Sequence, residues 1–335
     1  MWFWYLLILM LCLPSVALCH REATSVVKSR TCVGKCIHVS KFSTTEWRVI
    51  APVLSAPDQQ VVAEWRLNKP AGHTIWEISE LFGRDQRVPA SDVTLSAAGG
   101  SVYEYAWVVG ITDAAQIGFD FYGNAHGAET LLTVTFVLDG IDISDFSVGS
   151  AQDGQSLIVT QTKNILLPKN ADGSTNLSTV IGSGTLVHTL DTTGVLVTHT
   201  HTFQAGYQGY TCYAAMLPNN FANFDRVAVN GGAAYTHVGD DSVQFTTTQI
   251  TDVAVWNNAA THRYQLNMTL PSGGPAVPSD WTNAGPDYGY FTDSPIRGKT
   301  YVLYVNDTYA SRKALSTLGV AGTITQQQKY WVSWR

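Results

Sequence analysis

The feature that most limits what this chain can become is a long succession of short runs rich in Val, Thr, Tyr, Phe and Trp, each closed by Gly, Asn, Asp or Pro. Many of them alternate apolar and polar residues at period two, the pattern of a strand with one face buried. The clearest are residues 101–109, 116–121, 130–138, 195–203, 210–216, 243–248, 262–269, 300–305 and 330–334. Helix patterns are confined to a turn or two at 75–82 and another at 307–315. No repeat of fixed period is present, which argues against a propeller or a solenoid. The sequence therefore predicts an all-β protein: a large antiparallel β-sandwich of supersandwich or jelly-roll type, with few short helices.

The chain begins with an almost wholly apolar stretch to Ala17, followed by small residues and then by His20-Arg21-Glu22. This reads as a secretory signal peptide over 1–19, and an uncleaved anchor is its alternative. Residues 20–46 read as a polar, irregular N-terminal arm and 47–335 as the sandwich domain. No later run could span a bilayer, so the expected product is extracellular, with no stable membrane span once the leader is removed. Outside the leader three cysteines remain, Cys32, Cys36 and Cys212. The economical arrangement bridges Cys32 to Cys36 and leaves Cys212 free in an apolar strand. Asn176, Asn267 and Asn306 each begin an Asn-x-Ser/Thr sequon and are candidate glycan acceptors.

Charged residues make up 14% of the chain and the net charge is -6, with no basic block to neutralise phosphates, so nucleic acid is excluded as a partner. Ten Trp and fifteen Tyr suit a glycan-binding protein, and equally a plain β core. The long segments 168–184 and 271–293 read as loops. The second carries Trp281 and Tyr288, candidates with Arg226 for contact with a polysaccharide or glycan.

Chemistry concentrates at Gly123-Asn124-Ala125-His126-Gly127-Ala128-Glu129. Two glycines around the Asn-Ala-His core imply a tight turn that presents His126 and Glu129 outward from the start of the following strand. In 195–203, alternation places Val195, Val197, His199, His201 and Phe203 on one face. The two imidazoles then project in parallel, their Cβ atoms ~6–7 Å apart. Three readings compete. A divalent metal such as zinc would take His199 and His201 as first ligands, although no metal signature is met and no cofactor is established. Proton transfer on a uronate polymer would draw on Asn124, His126, His199, His201, Tyr207, Tyr210 and Arg226. Hydrolysis by paired carboxylates is supported less well: Glu129 has no acidic partner in a similar loop, and Asp120 and Asp225, which could serve, read equally as turn or surface residues. No Gly-x-Ser-x-Gly elbow supports a serine nucleophile.

The run 122–129, the His199-x-His201 pair and the segment 207–218 together resemble the catalytic layout of secreted and phage-associated β-sandwich polysaccharide lyases. That resemblance implies Asn124 as neutraliser of the substrate carboxylate, His126 or His199 as base or its helper, and Tyr207 or Tyr210 as acid. It covers about the central third of the chain. The expected function is thus a carbohydrate-active enzyme that cleaves an acidic glycan by β-elimination. The alternative is a non-catalytic glycan-binding or surface-adhesion protein whose histidines are structural.

Overall fold

The computed structural model describes residues 36–88, 91–96, 106–111, 118–123, 126–220, 223–236, 243–246, 250–258, 262–271, 288–292, 299–306, 313–317 and 321–335. All belong to one unit, Thr31–Arg335. In chain order the strands begin with β1 (Ile37–Ser43), β2 (Glu46–Pro52), β3 (Val61–Asn68), β4 (Glu77–Asp85) and β5 (Val93–Thr94). Next come β6 (Ala106–Ile111), β7 (Phe119–Tyr122), β8 (Glu129–Leu138), β9 (Ile141–Asp142) and β10 (Ala151–Gly154). The long central strands are β11 (Ser156–Leu166), β12 (Val180–Asp191), β13 (Gly194–Phe203) and β14 (Tyr207–Pro218). Then come β15 (Arg226–Val229), β16 (Tyr235–Thr236), β17 (Val243–Thr246), β18 (Asp252–Trp256) and β19 (Tyr264–Thr269). The last are β20 (Tyr288–Thr292), β21 (Lys299–Asn306), β22 (Lys313–Ala314) and β23 (Thr323–Trp334).

The protein is all-β, and every strand pair among the described residues is antiparallel. A six-stranded sheet has the order β10-β1-β2-β3-β4-β5. A ten-stranded sheet runs β16-β15-β18-β19-β23-β13-β12-β11-β8-β9. A seven-stranded sheet runs β17-β20-β21-β14-β6-β7, with β22 paired to β14 off that path. All nine strands expected from the sequence are present in whole or in part, because period-two alternation survives wherever one face is buried.

Two local expectations are corrected and a third is described only in part. Residues 75–82 do not form a helical turn: Ile75, Ile78 and Leu81 mimic helical spacing, but β4 is paired along its length with β3. Tertiary pairing overrides a short helical pattern. The segment 20–46 is not an irregular arm throughout, since β1 lies within it and Ile37 and Val39 are 0% exposed. Of the second helical expectation, 307–312 lies outside the described residues, and the chain beyond it forms β22 and one 3-10 turn at Leu315–Thr317.

Both smaller sheets cover one face of the ten-stranded sheet. From the six-stranded sheet, Trp47 stacks on Phe136 of β8 with ring centroids 4.6 Å apart, and Trp76, just before β4, meets the same ring edge-on at 5.3 Å. Trp47 is fully buried, and its removal would cost ~3–5 kcal/mol through lost burial and a cavity. From the seven-stranded sheet, β14 receives a hydrogen bond at Met216 O from the buried Tyr330 hydroxyl of β23, at 3.1 Å.

The hairpin joining β12 to β13 closes on Gly194, whose φ is +121°. A Cβ there would collide with the carbonyl oxygen of Tyr330 on the neighbouring β23. Conformation and space thus both require glycine. Gly194→Ala is expected to lower stability by more than ~2 kcal/mol, read as a fall in the urea midpoint with the β-rich circular dichroism retained. An unchanged midpoint would show that the hairpin does not hold β13 against β23 as described.

Candidate functional site

The inner face of the ten-stranded sheet carries a polar layer amid its apolar residues. On β11, alternation sets Gln161 and Lys163 on the same side as Leu157, Val159 and Ile165, and all five are buried. On β13 the same rule buries His199 and His201, and on β12 it buries His188 beside Leu186 and Leu190. β23 adds the buried Gln326 and Gln328.

Register explains how these groups meet. Lys163 pairs with Gly184, and Gly184 pairs with His201, so the residue between the cation and the imidazole has no side chain. A Cβ on Gly184 would stand 3.6 Å from Lys163 Cε and 2.5 Å from Thr200 O. Lys163 Nζ forms an ion pair with Glu129 Oε1, both side chains being at most 1% exposed. Gln161 spans to the opposite sheet, accepting from Trp76 N at 2.7 Å and donating to Trp76 O at 2.9 Å. Gln328 Nε2 donates to His199 Nε2 at 2.9 Å, and the Tyr122 hydroxyl is hydrogen-bonded to His201 Nδ1 at 3.3 Å. The His199 and His201 rings lie parallel, 17° apart with centroids at 6.0 Å, as the strand geometry implies.

Burial sets the protonation of the layer. Desolvation holds His188, His199 and His201 neutral, pushing His188 down to about 3 and the other two well below 6.5, with the Lys163 charge adding to the effect on each. Desolvation also lowers Lys163 to about 7, against the opposing pull of Glu77. Among the described residues no three His, Cys, Asp or Glu side chains are arranged to hold a metal ion. The lysine among the imidazoles would itself repel one.

The reading of Glu129, His199 and His201 as groups that act on a polymer is therefore corrected. Glu129, His199 and His201 do come together, but in a sealed layer where the two histidines are 0% exposed. A polymer cannot reach them. The 123–127 turn does close, with Gly123 at φ +109° and Gly127 at φ +73°, and His126 is exposed and stacked on Phe121 at 4.9 Å. Ala128, at φ +56°, then turns the chain so that Glu129 points inward to Lys163 and not outward beside His126.

Tyr207 opens β14 and packs half-buried against the core. Arg226, on β15, donates to Asp225 Oδ2 at 3.1 Å. Three strands separate β15 from β13, roughly 19 Å, so Arg226 takes no part in the layer. Asn124, Trp281 and Cys32 lie outside the described residues, as do the side chains of Tyr210, Cys212, Tyr288 and Asn306. Cys36 is disulfide-bonded. Asn176 is half-buried, its amide donating to Asn170 Oδ1 at 2.7 Å. Asn267, read as open to a glycan, is 4% exposed, and its Nδ2 donates to Ser333 Oγ at 2.9 Å. No room is left there for a sugar. The members that sequence reasoning missed, Gln161, Lys163 and His188, carried a signal: each shares an alternating face with Leu, Val or Ile.

The other face of the same sheet is open to solvent and built differently. Across β8, β11, β12, β13 and β23 runs one rank of five threonines, Thr133, Thr162, Thr185, Thr200 and Thr325. One flanking rank is Thr130, Asn164, Ser183, Thr202 and Thr323, and the other is Thr135, Thr160, Val187, Thr198 and Gln327. Neighbouring hydroxyls bond across strands, Thr133 to Thr162 at 2.6 Å, Thr200 to Thr325 at 3.1 Å and Thr202 to Thr323 at 2.9 Å. No ionised side chain stands in these ranks. A separate open pocket of about 340 Å³ includes Trp256, His262 and Tyr264, but Arg335 already covers the Trp256 ring at 4.4 Å.

The three depressed imidazoles fix the sign of a pH dependence. Unfolding lets each return to 6.5 and take up a proton, so stability is complete above 6.5 and falls as pH drops toward 3. His188 is expected to cost about 1.6 kcal/mol between pH 6.5 and pH 5, and His199 and His201 act in the same direction. Urea midpoints should fall over that interval, and His188→Gln should flatten the slope. Midpoints constant from pH 7 to 5 would contradict neutral burial.

No family model matches the chain, and no curated protein does. Among solved structures it is similar to a galactose mutarotase-like protein from Clostridium acetobutylicum, with 9% identity and a TM-score of 0.44, over 87% of this chain and 96% of that one. A galactose mutarotase-like protein from Lactobacillus casei is similar at 11% identity and a TM-score of 0.36, over 88% of this chain and 99% of that one. At such low TM-scores neither likeness carries an inference about function.

Proposed function

We propose that this is an extracellular, non-catalytic glycan-binding or adhesion protein, and that the polysaccharide lies across the hydroxyl ranks on the outer face of the ten-stranded sheet. The ranks themselves carry this reading. Threonine hydroxyls both donate and accept, as sugar hydroxyls do, and the γ-methyl groups offer apolar contact to sugar C–H groups. Strand spacing sets them ~4.8 Å apart across the sheet and ~6.8 Å along it, so an extended chain meets repeated partners. With no charge in the ranks and a net charge of -6 overall, a neutral glycan is favoured over a polyanion.

β-Elimination on a uronate polymer is the second reading. One observation favours it: His126, unlike His199 and His201, is exposed. Such an enzyme would have to work from the 123–127 turn without the buried pair.

A depletion assay on insoluble neutral glycans and on uronate polymers separates the two. The expected result is retention on a neutral glycan that weakens at least tenfold in Thr162→Val/Thr185→Val/Thr200→Val, with thermal stability unchanged, since valine keeps the shape and removes the hydroxyls. No ultraviolet absorbance from an unsaturated product should develop. Undiminished binding by the triple variant would refute the proposed face. Absorbance that grows with uronate polymer and vanishes in His126→Ala would establish the lyase.

A further inference from the structure

Lys163 and Glu129 sit on adjacent antiparallel strands, Ile165 pairing directly with Glu129, so the two side chains meet diagonally on the inner face. Around them are the apolar core, three neutral imidazoles and a second carboxylate, Glu77, brought by β4 from the opposite sheet. Glu77 is 0% exposed and acts electrostatically on Lys163. An amine and a carboxyl group in contact, without bulk water, beside a group able to carry a proton, are the components of an amide condensation. We propose that Lys163 Nζ and the Glu129 carboxyl condense to an intramolecular isopeptide bond joining β8 to β11 inside the core.

The step balances without an outside reagent. The pair starts as ammonium and carboxylate, and one proton passes from Nζ to Glu129, giving the amine and the acid that a medium of low polarity favours. Burial, which lowers Lys163 to about 7, acts in the same direction. The Nζ lone pair attacks Glu129 Cδ, forming the N–C bond and a tetrahedral carbon. A second Nζ proton reaches the departing hydroxyl by way of the Glu77 carboxylate, the C–O bond breaks and one water leaves. Ammonium and carboxylate have become amide and water, and Glu77 is regenerated. Fixed contact replaces the encounter of two solutes, which is where most of the acceleration arises.

The test is a tryptic map of the full, natively folded chain after reduction and denaturation. No Lys or Arg lies between Arg87 and Lys163, so Glu129 and Lys163 share one tryptic peptide. The expected result is no cleavage after Lys163 and a looped peptide 88–169 whose mass is one water below that of its own linear sequence. In Lys163→Arg, which keeps the charge but cannot form the amide, cleavage after residue 163 should return and peptide 88–163 should have its full linear mass. If that variant does not fold, the wild-type map decides alone. Glu77→Gln should form the bond at least tenfold more slowly on refolding, as loss of a proton carrier requires. Cleavage after Lys163 with peptide 88–163 at its full linear mass would overturn the proposal, as would a one-water deficit in that peptide that persists in Lys163→Arg. An unchanged rate in Glu77→Gln would remove Glu77 from it.

Discussion

An ammonium group cannot be left inside a β-sandwich without a counter-charge, because the desolvation cost is several kcal/mol. The Lys163 and Glu129 contact is the constraint on which much of this structure depends. It requires the chain to enter β8 with Glu129 facing inward, which the left-handed Ala128 and the glycine-bounded turn before it provide. It also requires space on β12, which Gly184 leaves by having no side chain. The same cation, with burial, keeps the nearby imidazoles neutral, so His199 and His201 act as hydrogen-bonding core residues held by Gln328 and Tyr122.

The ten-stranded sheet thus has two unlike faces. Its inner face is covered by both smaller sheets and holds Lys163, Gln161, His199 and His201 against partners across a strand or across the layer. Its outer face meets water and presents hydroxyls in ranks, a surface able to exchange hydrogen bonds with a ligand. A histidine pair that reads as a site in isolation becomes structural once its face is closed. Threonines that read as ordinary strand formers become the better contact surface.

Much of this was legible in the residues. Period two is a property of local backbone geometry, so nine of the strands, their antiparallel all-β setting and the parallel projection of His199 and His201 could be read from spacing alone. The tight turn at 123–127 was equally legible, since two glycines at that spacing serve positive φ values. Burial at Gln161, Lys163 and His188 was encoded in their alternation with Leu, Val and Ile, but a lysine on such a face reads as exposed until its partner is known.

What the sequence by itself determined is therefore the all-β class, nine of the strands in whole or in part, and which side chains share a face within them; β11 and β12, at the centre of the ten-stranded sheet, were not among them. Only the tertiary structure decided which of those faces is sealed, that Glu129 pairs with Lys163 and not with His126, that 75–82 extends along β3, and that Arg226 stands three strands away from the histidines. Alternation is settled within a few residues of backbone. Burial and charge pairing depend on contacts between strands far apart in the chain, and no local pattern specifies those.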